Sequence, residues 1–148
     1  MAEQILDLLN EGEVAALCGD FDKNIENMKS VRKYLLEGIK SEIDDIKINS
    51  FEDDRCAASV LNVSFLRVRG EVLLHMLEQK DIFVSTGSAC SSNKKGQSHV
   101  LKAAGLTDEE IEGAVRFSFS RFNTVEEMDY VIANLKKSVK DIRRVIRR

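Results

Sequence analysis

Two apolar stripes with helical spacing stand near opposite ends of the chain, and only short runs of strand formers lie between them. Ile25, Met28, Val31, Leu35, Ile39 and Ile43 recur at steps of three and four residues, and so do Met128, Val131, Leu135, Val139, Ile142 and Ile146. That spacing puts each set on one side of a helix. Two such helices need an apolar surface to cover, and the chain between them has to supply it.

The supply is legible as strands. IKIN (46–49) alternates, VLNVSF (60–65) is rich in β-formers, and IFVS (82–85) reads as a further short strand. AVRFSFS (114–120) alternates with period two, sending Val115, Phe117 and Phe119 to one face and Arg116, Ser118 and Ser120 to the other. Helical stretches intervene at EVLLHMLEQK (71–80), after Gly70, and at SHVLKAAG (98–105), where Gly105 suits the residue after a helix end. Thr107 with Glu110, and Thr124 with Glu127, have the spacing of capping boxes. The order is helix, two strands, helix, strand, two short helices, strand, long helix. It predicts an α+β fold, a small and mostly antiparallel sheet packed by long N- and C-terminal helices. Residues 21–148 read as one domain. In residues 1–20, ILDLL and VAAL favour helix but Gly12 and Gly19 interrupt it, so no structure is assigned there.

Composition narrows the function classes. Of 148 residues, 43% are hydrophobic and 32% charged, as in a soluble globular domain. A net charge of −3 argues against a nucleic-acid binder. No apolar run is long enough to span a bilayer, and the acidic start MAEQILDLLNEGE lacks the pattern of a signal peptide, so a cytoplasmic location is expected. Residues 136–148 (KKSVKDIRRVIRR) carry seven basic residues and one acidic one. They read as a solvated helix face that complements the helix dipole, with an acidic partner surface as the alternative. Cys18, Cys56 and Cys90 are odd in number and widely spaced, which argues against a disulfide framework or a zinc site.

Cys90 is the leading candidate for chemistry. It lies in VSTGSACSSNKKGQ (84–97), where small neighbours leave a thiol accessible and Lys94 and Lys95 bring positive charge that favours a thiolate. Cys56, beside Ala57 and Ala58, reads as a small hydrophobe, and Cys18 has nothing further to recommend it. Arg116 lies mid-strand between apolar neighbours, either as a bidentate partner for a carboxylate ligand or in a salt bridge with an acidic side chain. His75 is expected to be packed or half-exposed on its helix. His99 is read chiefly as a cap or packing residue, with acid–base work near Cys90 as the sharper reading. Gly87 and Gly96 fit neither a phosphate loop nor a dinucleotide fingerprint.

Taken in order, LNVSF, RGEVLL, VSTGSACSS, SHVLKAAGL and VRFSFSRFNTVEEMDYV resemble the C-terminal part of the pyridoxal-phosphate-dependent cysteine desulfurases, of the class V aminotransferase group. The resemblance runs from about Ile25 to the end and is most specific at STGSACSS. A local departure is CAASV (56–60), where relatives tend to carry Pro-Asn before the strand. The resemblance implies that Cys90 is the catalytic cysteine, which takes the sulfur of L-cysteine as a persulfide with release of alanine. It implies that Arg116 clamps the substrate's α-carboxylate, and that the loop after Cys90 is of the long type. The sulfur would then pass to an acceptor protein for iron–sulfur cluster or thio-cofactor synthesis. The fold implied is the small domain of fold-type I pyridoxal enzymes.

The resemblance also implies a missing half. The family's cofactor-binding large domain precedes this region, and its lysine, stacking histidine and ring-binding aspartate have no counterparts here; SSNKKG (91–96) follows the cysteine and lacks the histidine. Pyridoxal phosphate is therefore expected in a complete enzyme and not on this chain alone, which is expected to be inactive by itself. Expected partners are the large domain or a homologous full-length enzyme and a sulfur acceptor, with neither nucleic acid nor membrane, and with self-association through an apolar face left open. Two other readings stand beside this one: a persulfide carrier that uses Cys90 without pyridoxal phosphate, and a non-catalytic interaction module.

Overall fold

The computed structural model describes residues 21–51, 57–86 and 99–146, the side chains of His99 and Ile146 excepted. Helix α1 (Phe21–Glu42) leads into strand β1 (Ile46–Ile48), and β2 (Val60–Phe65) follows. Helix α2 (Gly70–Glu78), strand β3 (Ser85–Thr86) and the short helices α3 (His99–Ala103) and α4 (Asp108–Glu112) precede β4 (Ala114–Ser118) and the closing helix α5 (Val125–Ile146). The strands form one antiparallel sheet in the order β1-β2-β4-β3. The α+β expectation holds, with a sheet that is antiparallel throughout the described strands.

The two stripes pack where their spacing sends them. Val31, Leu35 and Ile39 of α1 and Leu135 and Val139 of α5 are buried together with Leu61, Val63 and Phe65 of β2 and Val115 and Phe117 of β4. Ile43 lies one residue past the end of α1 and is buried all the same. Both capping boxes form. Glu110 N donates to Thr107 Oγ1 while Thr107 N donates to Glu110 Oε2, and Thr124 and Glu127 repeat the exchange at the start of α5. Gly105 takes φ +83° beyond the end of α3, a conformation that costs glycine little.

Two arginines tie distant segments together. Arg32, on α1, is buried and donates to Val60 O at 2.9 Å and to Phe51 O at 2.5 Å, holding both flanks of residues 52–56. Arg143, on α5, donates to the carbonyls of Asp44, Asp45 and Leu66, around a corner where Asp45 and Arg67 have positive φ. Lys136 pairs with Glu42. The basic C-terminal stretch therefore spends part of its charge inside the fold rather than presenting all of it to solvent.

One expected strand is mostly not a strand. Of IFVS (82–85), only Ser85 joins the sheet, and pairing continues to Thr86. Ile82 N donates instead to Leu77 O of α2, and Asp81 before it takes φ +58°. The backbone is thus still turning off the helix where strand pairing was expected. Phe83, in the middle of the run, is 76% exposed. No helix among the described residues is long and apolar enough to cross a membrane.

Candidate functional site

The period-two pattern of AVRFSFS decides where Arg116 goes. Val115, Phe117 and Phe119 are buried against the helices, so the alternate residues Arg116, Ser118 and Ser120 are pushed to the opposite, exposed face. Because β4 is an inner strand, Arg116 has a cross-strand neighbour on each side: Asn62 on β2 and Ser85 on β3. Its Nη2 donates to Ser85 Oγ at 3.4 Å. Among the described residues no carboxylate pairs with Arg116, so the salt-bridge alternative finds no partner there. An exposed guanidinium that keeps most of its donors open on a rigid strand can take an anionic ligand in bidentate fashion.

Next to this row the face is roofed by α4. Ser64, two residues beyond Asn62 and fully buried, donates to Glu110 O at 2.6 Å. Lys47 of β1 donates to Glu110 Oε1 at 2.8 Å. The Lys47 ammonium, together with the Thr107 backbone N–H, holds the Glu110 carboxyl below the usual glutamate range, with desolvation opposing. Asn49 Nδ2 donates both to Asn62 Oδ1 at 2.8 Å and to Ser64 Oγ at 2.7 Å, and Asn49 Oδ1 is buried without a partner.

Cys90 lies outside the described residues, as do Cys18, Cys56, Lys94 and Lys95; of His99 only the backbone is described, as the first residue of α3. The pairing of Ser85 with Arg116 does place the strand that precedes Cys90 directly beside the arginine. His75 corrects its expectation. Its side chain is 71% exposed and sits 3.3 Å from Glu78 Oε2, because α2 buries Gly70, Leu73 and Leu77 and residue 75 falls on the far side of that stripe. No cluster of three metal-binding side chains occurs among the described residues. A groove of about 630 Å³, lined by Ile82, Phe83, Phe117, Phe119, Met128 and Tyr130 among others, lies between residues 80–84 and the start of α5 and does not include Arg116.

Sequence reasoning passed over Asn49, Asn62 and Ser64. A signal was present, since residues 60, 62 and 64 alternate in phase with 114, 116 and 118 once the two strands are paired. The pairing itself was the missing piece.

Residues 3–131 match the family described as class V aminotransferase. Curated relatives include the cysteine desulfurase IscS of Pseudoalteromonas translucida, 40% identical over 84% of this chain and 30% of the relative. The cysteine desulfurase IscS of Vibrio atlanticus is 41% identical over 92% of this chain and 33% of the relative. The chain thus spans about a third of the length of the curated relatives it matches. Among solved structures, a NifS-like protein superposes with a TM-score of 0.70 at 26% identity, covering 86% of this chain and 31% of its own. A NifS-like protein from Rickettsia africae gives 0.69 at 20% identity over 82% and 31%, a likeness of fold alone.

Proposed function

The chain belongs to the class V aminotransferase family, and from that premise we propose that residues 21–148 are the C-terminal small domain of a cysteine desulfurase. In this reading Arg116 holds the α-carboxylate of L-cysteine, and Cys90 receives its sulfur as a persulfide while alanine leaves. The observation that carries the reading is the open guanidinium of Arg116, fixed on an inner strand beside the strand that leads into STGSACSS. Cys90 follows Thr86 by four residues, a span of about 14 Å at most, so the thiol stays tethered close to the carboxylate seat.

The residues around Arg116 fit a substrate acid and not pyridoxal phosphate. Asn62 and Ser85 offer neither an amine for a covalent bond to the cofactor nor a carboxylate for its ring nitrogen. In the proposal the cofactor, which supplies the electron sink for carbon–sulfur cleavage, belongs to a large domain outside this chain. What this chain contributes is orientation, by fixing one end of the substrate, and a mobile-group acceptor in Cys90. A sulfur-accepting protein is the partner that would unload the persulfide.

The test is reconstitution. The chain is mixed with a separately expressed large domain of a desulfurase relative, pyridoxal phosphate and L-cysteine, and alanine is measured. Alanine release that Cys90→Ser abolishes, and that Arg116→Ala impairs mainly through KM, is the expected result. Alanine release unaffected by either substitution would reject the assignment. Uptake of one sulfur at Cys90 from a persulfide donor, with no alanine under any condition, would favour the carrier reading instead.

A further inference from the structure

The polarity of the hydrogen bonds beside Arg116 can be deduced from one fixed point. The carbonyl of Glu110 can only accept, so the Ser64 hydroxyl must give it its proton at 2.6 Å. Ser64 Oγ is then an acceptor toward Asn49, which must present its Nδ2 at 2.7 Å. The same Nδ2 reaches Asn62 at 2.8 Å, so the atom it meets there must be Oδ1. The chain of donors leaves a single consistent orientation for both amides. With Oδ1 of Asn62 turned to β1, its Nδ2 is turned away from that strand, and no described residue accepts from it. Asn62 is the direct cross-strand partner of Arg116, a placement that sets the two side chains about 5 Å apart at Cβ. On the other flank Ser85 accepts from Arg116 Nη2 and steadies the guanidinium.

We propose that Asn62 is the second donor of the carboxylate seat, with Arg116 supplying charge and Asn62 Nδ2 a neutral hydrogen bond to the same carboxylate. Asn49, Ser64 and the Glu110 carbonyl are positioning groups that keep the Asn62 donor facing the ligand. The row favours a planar acid, whose two oxygens can accept from Arg116 and Asn62 together. As a statement about the substrate this rests on the desulfurase reading; as a statement about an acid seat it stands on the sheet alone.

The experiment titrates the 15N-labelled chain with sodium acetate, and with sodium chloride at matched ionic strength, following the Asn62 side-chain amide and Arg116 Nε by NMR. The expected result is that acetate moves both resonances along one saturating curve and chloride does not. Asn62→Leu keeps the volume, removes the donor and adds no charge opposite Arg116, and should weaken the Arg116 response to acetate about tenfold or more. A curve for Arg116 with a silent Asn62 amide overturns the proposal, and so do equal responses to chloride or no saturable response at either site. The titration needs neither cofactor nor large domain. Restored alanine release with a silent Asn62 therefore rejects this inference alone, and a working seat without alanine release rejects the enzymatic reading alone.

Discussion

Gly113 and Gly38 both sit where a neighbour comes too close for a methyl group, and the kind of neighbour sets the cost. A Cβ on Gly113 would lie 2.3 Å from the carbonyl oxygen of Phe65, an atom held in the sheet by its strand. One on Gly38 would meet Ile132 Cδ1 at 2.2 Å, the far end of a side chain that can change rotamer. Gly113→Ala is therefore expected to lower the unfolding free energy by about 1–3 kcal/mol. Gly38→Ala should cost clearly less, since helix propensity returns about 1 kcal/mol. Urea denaturation of the two variants checks the ranking, and equal losses would contradict it. Arg32 makes a second residue-scale case. Removing its buried guanidinium takes a charged donor from two carbonyls at once, so Arg32→Ala should cost about 2–4 kcal/mol in the same assay. Its sequence context, between Val31 and Lys33, reads as an ordinary surface cation; the carbonyls that bury it belong to segments 19 and 28 residues away.

At the scale of elements, α4 is a five-residue helix that cannot stand on propensity, and its anchor is Glu110, shared between the Thr107 cap and Lys47 of β1. The folded chain holds this carboxyl below its ordinary value of 4.5, first through Lys47 and then through the Thr107 N–H. A group depressed in the folded state adds stability above its unfolded value and loses it as pH falls through the folded one. The wild type should therefore be more stable than Glu110→Gln at pH 7, and the gap should shrink as pH drops below about 4.5. Denaturant midpoints across that range test it, and a gap independent of pH would refute the coupling. The capping boxes were legible because Thr-x-x-Glu is a local pattern, and the face of Arg116 because alternation is local too. The end of α2 was not. Ile-Phe-Val has strand propensity, but whether 82–84 pairs depends on how far β4 extends and on a turn at Asp81, neither of which short-range periodicity reports. Asn62 was missed for a related reason, since only the register with β4 gives it meaning.

At the scale of the whole molecule the sheet has two unlike faces. One is closed by α1 and α5 over a cluster that runs from Val31 to Ile142. The other carries Asn62, Arg116 and Ser85 beside the small roof of α4, polar in its exposed part and furnished with open donors. That division suits a domain whose core is its own and whose chemistry is completed by what meets its polar face. The boundary read at residue 21 can be tested on the same footing, since both stripes, the described strands and both capping boxes lie after it. A chain of residues 21–148 should consequently unfold in one cooperative transition with a midpoint close to that of the full chain. Calorimetry on both decides the matter. A lost transition, or a drop of more than about 8 °C, roughly 2 kcal/mol for a chain of this size, would mean that residues 1–20 belong to the domain and that the boundary is wrong.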